Sequence, residues 1–256
     1  VVINTKCCKL RDESGVLPSP KKIKETIERS LEESLKALQT NYIDVYMLHQ
    51  ADFEILENEV IAQTFLDYKE KGVIRATGVS TYSVEDTKKT IESGNWDVVQ
   101  LPYNLMDQSQ EVNFSLAERN GIGIMVRSVL FKGILSKKGR SLHPALKEVE
   151  QHIRSYKELW SDLGCDLAAL AVKFALSSEQ VSSVLVGIDR LEYLENSISF
   201  ILRTPSPKSC DSSCITVGES SVFTPWSDLF KFLPVHCTIT TRIKLNKPNY
   251  WSEQKN

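Results

Sequence analysis

Short, nearly continuous apolar runs recur along the chain, separated by longer segments of mixed polarity. Six runs are rich in β-branched residues: VVINTK (1–6), YIDVYML (42–48), VIRATGVS (73–80), WDVVQLP (96–102), GIGIMVRS (121–128) and VSSVLVG (181–187). Runs of this length that are apolar at their centres are typical of strands covered on both faces. We therefore predict six buried strands.

The intervening segments carry apolar residues at helical spacing. Helices are predicted at 20–38, 58–71, 83–93, 109–119, 144–160, 166–177 and 190–200. In the first helix, one stripe contains Ile23, Ile27, Leu31, Leu35 and Leu38. Ser19 and Pro20 are the expected N-cap and first turn of that helix, and Gly72 is the expected C-cap of the second.

Repeated strand–helix units with short connections indicate an α/β protein with a parallel sheet and helices outside it. An open doubly wound sheet and a (β/α)8 barrel both have this pattern. No Gly-x-Gly-x-x-Gly follows the first strand, which weakens the dinucleotide-binding open sheet. The sequence therefore favours a (β/α)8 TIM barrel, with only six of its units present in this chain.

Composition changes near residue 203, where the regular period ends and Ser, Pro and Cys become frequent. We predict a partial barrel over 1–203 and an unassigned, irregular C-terminal extension over 204–256. The favoured interpretation of the extension is a poorly ordered or loosely docked segment. Its runs CITVGESSVF and CTITTRIKL nevertheless have strand-like composition.

Charge and composition narrow the classes of function. The net charge of −2 gives no attraction to nucleic acid or to an anionic membrane. The apolar runs are shorter than a membrane span, and the first residues do not show the basic segment and apolar stretch expected of a secretory signal. Six cysteines without zinc-ribbon spacing favour reduced thiols and a cytoplasmic location, although Cys210 and Cys214 leave a disulfide or half a metal site open.

Polar residues follow the apolar centre of every predicted strand. They are Thr5-Lys6, His49-Gln50, Ser80-Thr81, Gln100 with Tyr103-Asn104, Arg127-Ser128, and Gly187 with Asp189-Arg190. In a (β/α)8 barrel these strand ends surround one mouth, where the active site is built. A cation, an imidazole and several amide and hydroxyl groups suit the polarisation of a carbonyl.

The same strand ends argue against two enzyme classes. They contain no pair of carboxylates, as a glycosidase requires. They also contain no cluster of His, Asp and Glu at metal-ligand spacing, so no metal site is predicted.

Several segments together resemble the aldo-keto reductase superfamily, in that family's order over residues 1–200. They are SLEESLKALQTNYIDVYMLHQAD, YKEKGVIRATGVSTYS, GIGIMVRSVLFKGIL and VSSVLVGIDRLEYLEN. HPALKEVE and VSSVLVG look most like the sugar dehydrogenases of the family, such as L-galactose dehydrogenase. The resemblance implies a barrel that binds NADP(H) or NAD(H) and transfers hydride between nicotinamide and the carbon of a small carbonyl or sugar substrate.

The resemblance also implies roles for individual residues. Lys6, in NTK, matches the lysine that lowers the pKa of the family's proton-donating tyrosine, and His49 matches the histidine that orients the substrate carbonyl. Ser80, Thr81 and Gln100 match the positions that hold the nicotinamide carboxamide, although an Asn is usual where Thr81 stands.

Further cofactor contacts are implied in the second half of the chain. Arg127 stands where an aromatic residue often stacks on nicotinamide, although arginine also looks tolerated in bacterial-type members. The remaining matches are to the pyrophosphate loop and the adenosine end: Ser128, Leu130, Gly133, Leu135, Gly187, Arg190 and Asn196.

The chain departs from the family pattern at its beginning. Val1 lies inside a predicted strand, so we expect a barrel that lacks its first two β/α units and, with them, the family's catalytic Asp and Tyr. Tyr46 alternates to the face opposite His49. We therefore expect either an oxidoreductase whose activity in this chain is uncertain, or a non-catalytic barrel fragment that binds a cofactor or a partner.

Missing strands would leave two parallel edges open, those of VVINTK and VSSVLVG. The extension, another copy of the chain or a different partner could cover them. An isolated chain with both edges open would be marginally stable.

Overall fold

A computed structural model describes residues 2–49, 51–136, 142–161, 166–187, 191–192, 195, 198–199 and 240–243. The strands are β1 (Asn4–Lys6), β2 (Ile43–Leu48), β3 (Ile74–Ser80), β4 (Val98–Pro102), β5 (Gly123–Arg127), β6 (Val181–Gly187) and β7 (Thr240–Ile243). The α-helices are α1 (Pro20–Leu38), α2 (Phe53–Leu56), α3 (Glu59–Glu70), α4 (Val84–Glu92), α5 (Phe114–Arg119), α6 (Lys147–Ser161) and α7 (Leu167–Ser177).

The predicted alternation of strands and helices is confirmed. Each of the six predicted strands contains one observed strand, and α1, α3, α4 and α7 agree closely with their predicted ranges. The predicted helices at 109–119 and 144–160 each begin with a 3₁₀ turn, Ser109–Asn113 and Pro144–Leu146. The short helix α2 was not predicted, and the predicted helix at 190–200 falls largely outside the described residues.

The chain divides into two compact units. Unit one contains Val1–Pro102 and Ser109–Met125, and unit two contains Tyr103–Gln108 and Val126–Asn256. In unit one, β1, β2, β3 and β4 lie side by side in chain order, and every pairing is parallel. The register pairs Lys6 with Met47, Met47 with Gly78, and Ser80 with Gln100.

Helix α1 forms because its apolar stripe finds a partner in the sheet of unit one. Ile23, Ile27 and Leu31 are each only 1% exposed, whereas Leu38 is 43% exposed, so the predicted stripe ends before the last turn. Pro20 occupies the first turn as expected, but the side chain of Ser19 makes no capping hydrogen bond. Burial of the stripe therefore stabilises this helix more than its N-terminal cap does.

The core of unit one contains an aromatic cluster between the sheet and its helices. Tyr46 of β2 stacks on Phe65 of α3, with ring centroids 5.2 Å apart. Phe65 meets Trp96 edge to face at 5.3 Å. All three side chains are almost fully buried. They pack on the helix side of the sheet, whose strand ends carry the site described below.

Unit two is organised around α7 and β6. Most of α7 is buried, because its sequence LAALAVKFALS is apolar almost all round. Phe174 of this helix stacks on Tyr103, with centroids 5.2 Å apart. Tyr156 of α6 donates a hydrogen bond from its hydroxyl to the carbonyl oxygen of Leu105 at 3.1 Å.

The extension contributes one described strand to unit two. β7 pairs antiparallel with β6, with Thr240 opposite Gly187 and Ile243 opposite Val184. Its backbone therefore lies along one of the two edges that the sequence predicts to be open. Paired edges are protected from association with other chains.

Candidate active site

Lys6, Ser80 and Gln100 meet at the carboxyl ends of three parallel strands in unit one. Lys6 Nζ donates a hydrogen bond to Gln100 Oε1 at 2.5 Å and a longer one to Ser80 Oγ at 3.4 Å. Ser80 Oγ also donates to Gln100 Oε1 at 3.5 Å. Ser80 and Gln100 are buried and Lys6 is half-buried. The structure thus brings together three of the residues that the sequence singles out.

Two methionine sulfur atoms complete the surroundings of the Gln100 carboxamide. Gln100 Nε2 lies 3.4 Å from Met125 Sδ and 3.8 Å from Met47 Sδ, as a donor to both. Met125 Sδ also accepts from Asn4 Nδ2 at 3.0 Å. Sequence reasoning did not single out Met47, Met125 or Asn4. The alternation of side chains along β1 nevertheless places Asn4 on the same face as Lys6.

Gly78 leaves the space that Met47 fills. A Cβ at Gly78 would lie 2.8 Å from Met47 Cε and 3.2 Å from the carbonyl oxygen of Val98. Because Met47 and Gly78 are register partners, the glycine lets the methionine reach across the strand toward Gln100. The glycine of the ATGVS segment therefore shapes the site through a neighbouring side chain.

His49 lies directly after β2 at the same end of the sheet. Leu48 of β2 is the register partner of Val79 of β3, so the next residue along each strand is His49 and Ser80, respectively. The His49 side chain is exposed. Gln50, which follows it, lies outside the described residues.

Thr81 has an environment different from that of Ser80. Its hydroxyl is fully buried and lies 2.7 Å from the hydroxyl of Thr87 in α4, which bonds in turn to the carbonyl oxygen of Ser83 at 3.0 Å. The backbone N–H of Thr81 donates to the carbonyl oxygen of Gln100 at 2.9 Å. Thr81 therefore links the start of α4 to β4. Its contact with the cofactor stays a prediction.

Arg11 joins the loops that follow Lys6 and His49, a feature that sequence reasoning missed. Its guanidinium donates to both carboxylate oxygens of Asp52 at 2.8–3.1 Å and to Glu54 at 2.7 Å. Asp52 also caps α2 by accepting from the N–H of Ile55 at 3.1 Å. The bond to Glu54 and then Asp52 raise the pKa of Arg11. Nothing local in the sequence links Arg11 to Asp52.

In unit two, the loop after β5 contains several residues in the left-handed backbone region. Ser128, Phe131 and Lys132 have φ values of 60°, 46° and 54°. Non-glycine residues rarely adopt this region, and such strain is concentrated at functional sites. Arg127 Nη1 donates to Ser128 Oγ at 3.2 Å, and Asn104 Nδ2 donates to the carbonyl oxygen of Ser128 at 3.3 Å.

The remaining predicted contacts lie in or near this part of the chain. The carbonyl oxygen of Leu130 accepts from the N–H groups of Gly133 at 2.8 Å and Leu135 at 3.2 Å, which closes the loop. Gly187 is exposed at the end of β6. Arg190 and Asn196 lie outside the described residues.

Within the described residues, no three His, Cys, Asp or Glu side chains converge in the way that metal ligands do. In the same part of the chain, no helix combines the length and apolar character needed to cross a membrane.

Comparison with known proteins identifies relatives for most of the chain. The model of the Aldo/keto reductase family matches residues 1–211. An uncharacterized oxidoreductase, YqkF, of Bacillus subtilis is 27% identical over 71% of this chain and 60% of its own length. L-galactose dehydrogenase of Arabidopsis thaliana is 24% identical over the same shares, 71% and 60%. The chain therefore spans about three fifths of these relatives.

A solved structure extends the comparison to the fold. The holo form of aldo-keto reductase AKR11C1 from Bacillus halodurans is similar with a TM-score of 0.64 at 25% sequence identity. The similarity covers 80% of this chain and 68% of that one. It confirms the predicted fold class, an α/β fold that forms part of a (β/α)8 barrel.

Proposed function

Because the chain belongs to the aldo-keto reductase family, we propose that it is an NAD(P)(H)-dependent oxidoreductase of sugar or small aldehyde and ketone substrates. One observation supports the proposal most directly: the ammonium of Lys6 lies 2.5 Å from the carboxamide of Gln100. The residue matched to the family's catalytic lysine thus contacts a residue matched to its cofactor-holding set. A cytoplasmic location and an oligomer or partner at the open edge stay predictions.

The groups around Gln100 fit a nicotinamide carboxamide. The acceptors of Gln100 Nε2 are thioether sulfurs, which accept hydrogen bonds only weakly. The amide therefore retains donor capacity for the carbonyl oxygen of a ligand. The Ser80 hydroxyl, beside it, can donate or accept.

Lys6 and His49 would act on the substrate side. When bound, the nicotinamide supplies or accepts a hydride at the substrate carbon. The positive charge of Lys6 stabilises negative charge that develops on a nearby oxygen. A neutral His49 imidazole can donate a hydrogen bond to the substrate carbonyl and orient it.

A second function, cofactor binding without turnover, is favoured by the position of Tyr46. Its phenol lies in the core on the helix side of the sheet, and burial raises its pKa. Tyr46 therefore cannot replace the proton-donating tyrosine that the resemblance implies. Loss of a general acid typically lowers a rate by about 10²–10⁴-fold.

Two measurements separate these functions. Quenching of the fluorescence of the four tryptophans by NADPH and by NADH measures binding and compares the two cofactors. Absorbance at the reduced-nicotinamide band, with a panel of aldehydes, or of sugars with NAD(P)⁺, measures turnover. We expect micromolar binding of one cofactor. Turnover would support the first function, and a rate about 10²–10⁴-fold below that of a typical enzyme would indicate that no general acid protonates the substrate.

The Lys6→Met variant is the control for turnover, since it removes the ammonium and keeps the length of the side chain. Residual turnover should fall further in this variant. Binding without turnover, even in a longer version of the protein, would support the second function. Failure of both cofactors to bind would contradict both functions.

A further inference from the structure

The Gln100 carboxamide is held in one orientation by groups of opposite character. Its carbonyl oxygen faces the Lys6 ammonium at 2.5 Å, while its NH₂ group faces Met125 Sδ at 3.4 Å and Met47 Sδ at 3.8 Å. The reverse orientation would place NH₂ against the ammonium, donor against donor. Lys6 therefore determines which end of the amide faces the sulfurs.

The two sulfurs are not equivalent. Met125 Sδ is the nearer, and Asn4 Nδ2 donates to the same atom at 3.0 Å. This second amide fixes the position of the Met125 sulfur. Met47, by contrast, lies over Gly78, and its sulfur is at the long end of hydrogen-bond distances to sulfur. Met125 is thus the better-placed acceptor for Gln100.

We propose that Met125 is a positioning residue for Gln100, an inference that rests on the proposed function of this site. Its sulfur keeps the NH₂ group of Gln100 oriented in the apo protein. Because a thioether is a weak acceptor, a ligand carbonyl can replace it with a gain in hydrogen-bond strength. An oxygen acceptor at the same place would hold the NH₂ group more tightly and oppose ligand binding.

The chain offers matched variants, because its three methionines are Met47, Met106 and Met125. Replacement of each by leucine removes the sulfur with little change in volume. Met106 lies in unit two and serves as the control. For NADPH, we expect Met125→Leu to weaken binding about 3–10-fold, Met47→Leu less than about 2-fold, and Met106→Leu not at all.

A spectroscopic measurement tests the positioning role without any ligand. In ¹⁵N-labelled protein, the side-chain NH₂ resonances of Gln100 are assigned by their disappearance in Gln100→Glu. They should shift strongly in Met125→Leu, weakly in Met47→Leu and not in Met106→Leu. Thermal unfolding of the three leucine variants shows whether any of them has lost its fold.

Cofactor binding and the Gln100 resonances test different claims, so one measurement can contradict its claim while the other does not. If the unchanged chain binds neither NADPH nor NADH, the proposed function is wrong, and the NMR comparison still tests Met125. Unchanged Gln100 resonances in a folded Met125→Leu variant would overturn the positioning role. Equal effects of Met125→Leu and Met47→Leu on cofactor affinity would overturn it as well. Full selenomethionine labelling, which retains a weak acceptor, should leave both readouts as in the unlabelled protein.

Discussion

The two faces of the β1–β2 pair place neighbouring residues in opposite environments. Lys6 and Cys7 are adjacent in the chain, as are Met47 and Tyr46. On one face, Lys6 is half-buried and bonds to Gln100 and Ser80. On the other face, beneath α1 and α3, Cys7 is 1% and Tyr46 0% exposed.

The difference shows that residue type alone does not make a group reactive. Burial, together with the neighbouring Cys8, raises the pKa of the Cys7 thiol from its ordinary value of 9.0 to about 12. Burial likewise raises the pKa of Tyr46. Both groups are therefore favoured in their neutral forms inside the core, whereas Lys6 lies beside the hydrogen-bond acceptors of Ser80 and Gln100.

The largest expected effect is a loss of stability at alkaline pH caused by the helix-side face. A thiol that ionises at about pH 12 when folded and at 9.0 when unfolded contributes its full stabilisation below pH 9. That contribution is lost as the pH rises from 9 to 12 and amounts to about 4 kcal/mol at most. Urea unfolding at a series of pH values measures it.

Cys7→Ala is the test of this interpretation, with Cys8→Ala as its control because Cys8 is exposed. The alkaline fall in unfolding free energy should become shallower in Cys7→Ala and much less so in Cys8→Ala, which removes only the smaller of the two causes and leaves the burial of Cys7 intact. Equal pH slopes for Cys7→Ala and the unchanged chain would show that the two faces do not differ in this way.

The second effect concerns the polar face. Gln100→Leu removes the nearer of the two acceptors described for the Lys6 ammonium, and a hydrogen bond to a charged group contributes about 1.5–3 kcal/mol. We expect the free energy of unfolding to fall by about 1–3 kcal/mol, as measured by urea unfolding at pH 7. Gln100→Glu keeps an acceptor and should be closer to the unchanged chain. If the two variants are equally stable, the Lys6–Gln100 bond does not stabilise this face.

The smallest effect has the opposite sign. The Tyr46 hydroxyl lies beside Cys7 and Ser30, but among the described residues it meets no partner at hydrogen-bond geometry. Tyr46→Phe removes a buried polar group and keeps the stacking on Phe65. The free energy of unfolding should rise by about 0.5–1 kcal/mol. Destabilisation in a thermal melt of this variant would mean that the hydroxyl is satisfied.

Much of the fold was predictable because its signals are local. The strand segments IDVYML and IRATGV are rich in apolar and β-branched residues and are almost entirely buried, and α1 repeats apolar residues at helical spacing. The predicted site residues Lys6, Ser80 and Gln100 do meet, because parallel strands place their carboxyl ends at one edge. Their catalytic and cofactor roles stay predictions.

The rest depends on contacts between residues that are far apart in sequence. Arg11 meets Asp52 across 41 positions, and Gln100 meets Met125 across 25. Helix α2 has only four residues and is stabilised by the Asp52 cap, so it is too short to show a helical period of apolar residues in the sequence. Leu38 continues the stripe of α1 but lies 43% exposed at its end.

The sequence by itself determined the order of strands and helices, the polar strand ends and the family. The reason is that period, turn residues and short motifs are local. Only the tertiary structure showed that the Gln100 carboxamide contacts Lys6 and two methionine sulfurs, and that the Thr81 hydroxyl contacts the Thr87 hydroxyl. It also showed that burial raises the pKa values of Cys7 and Tyr46 and so favours their neutral forms. These outcomes depend on strand register and on which face a helix covers, and neither is written in any one segment.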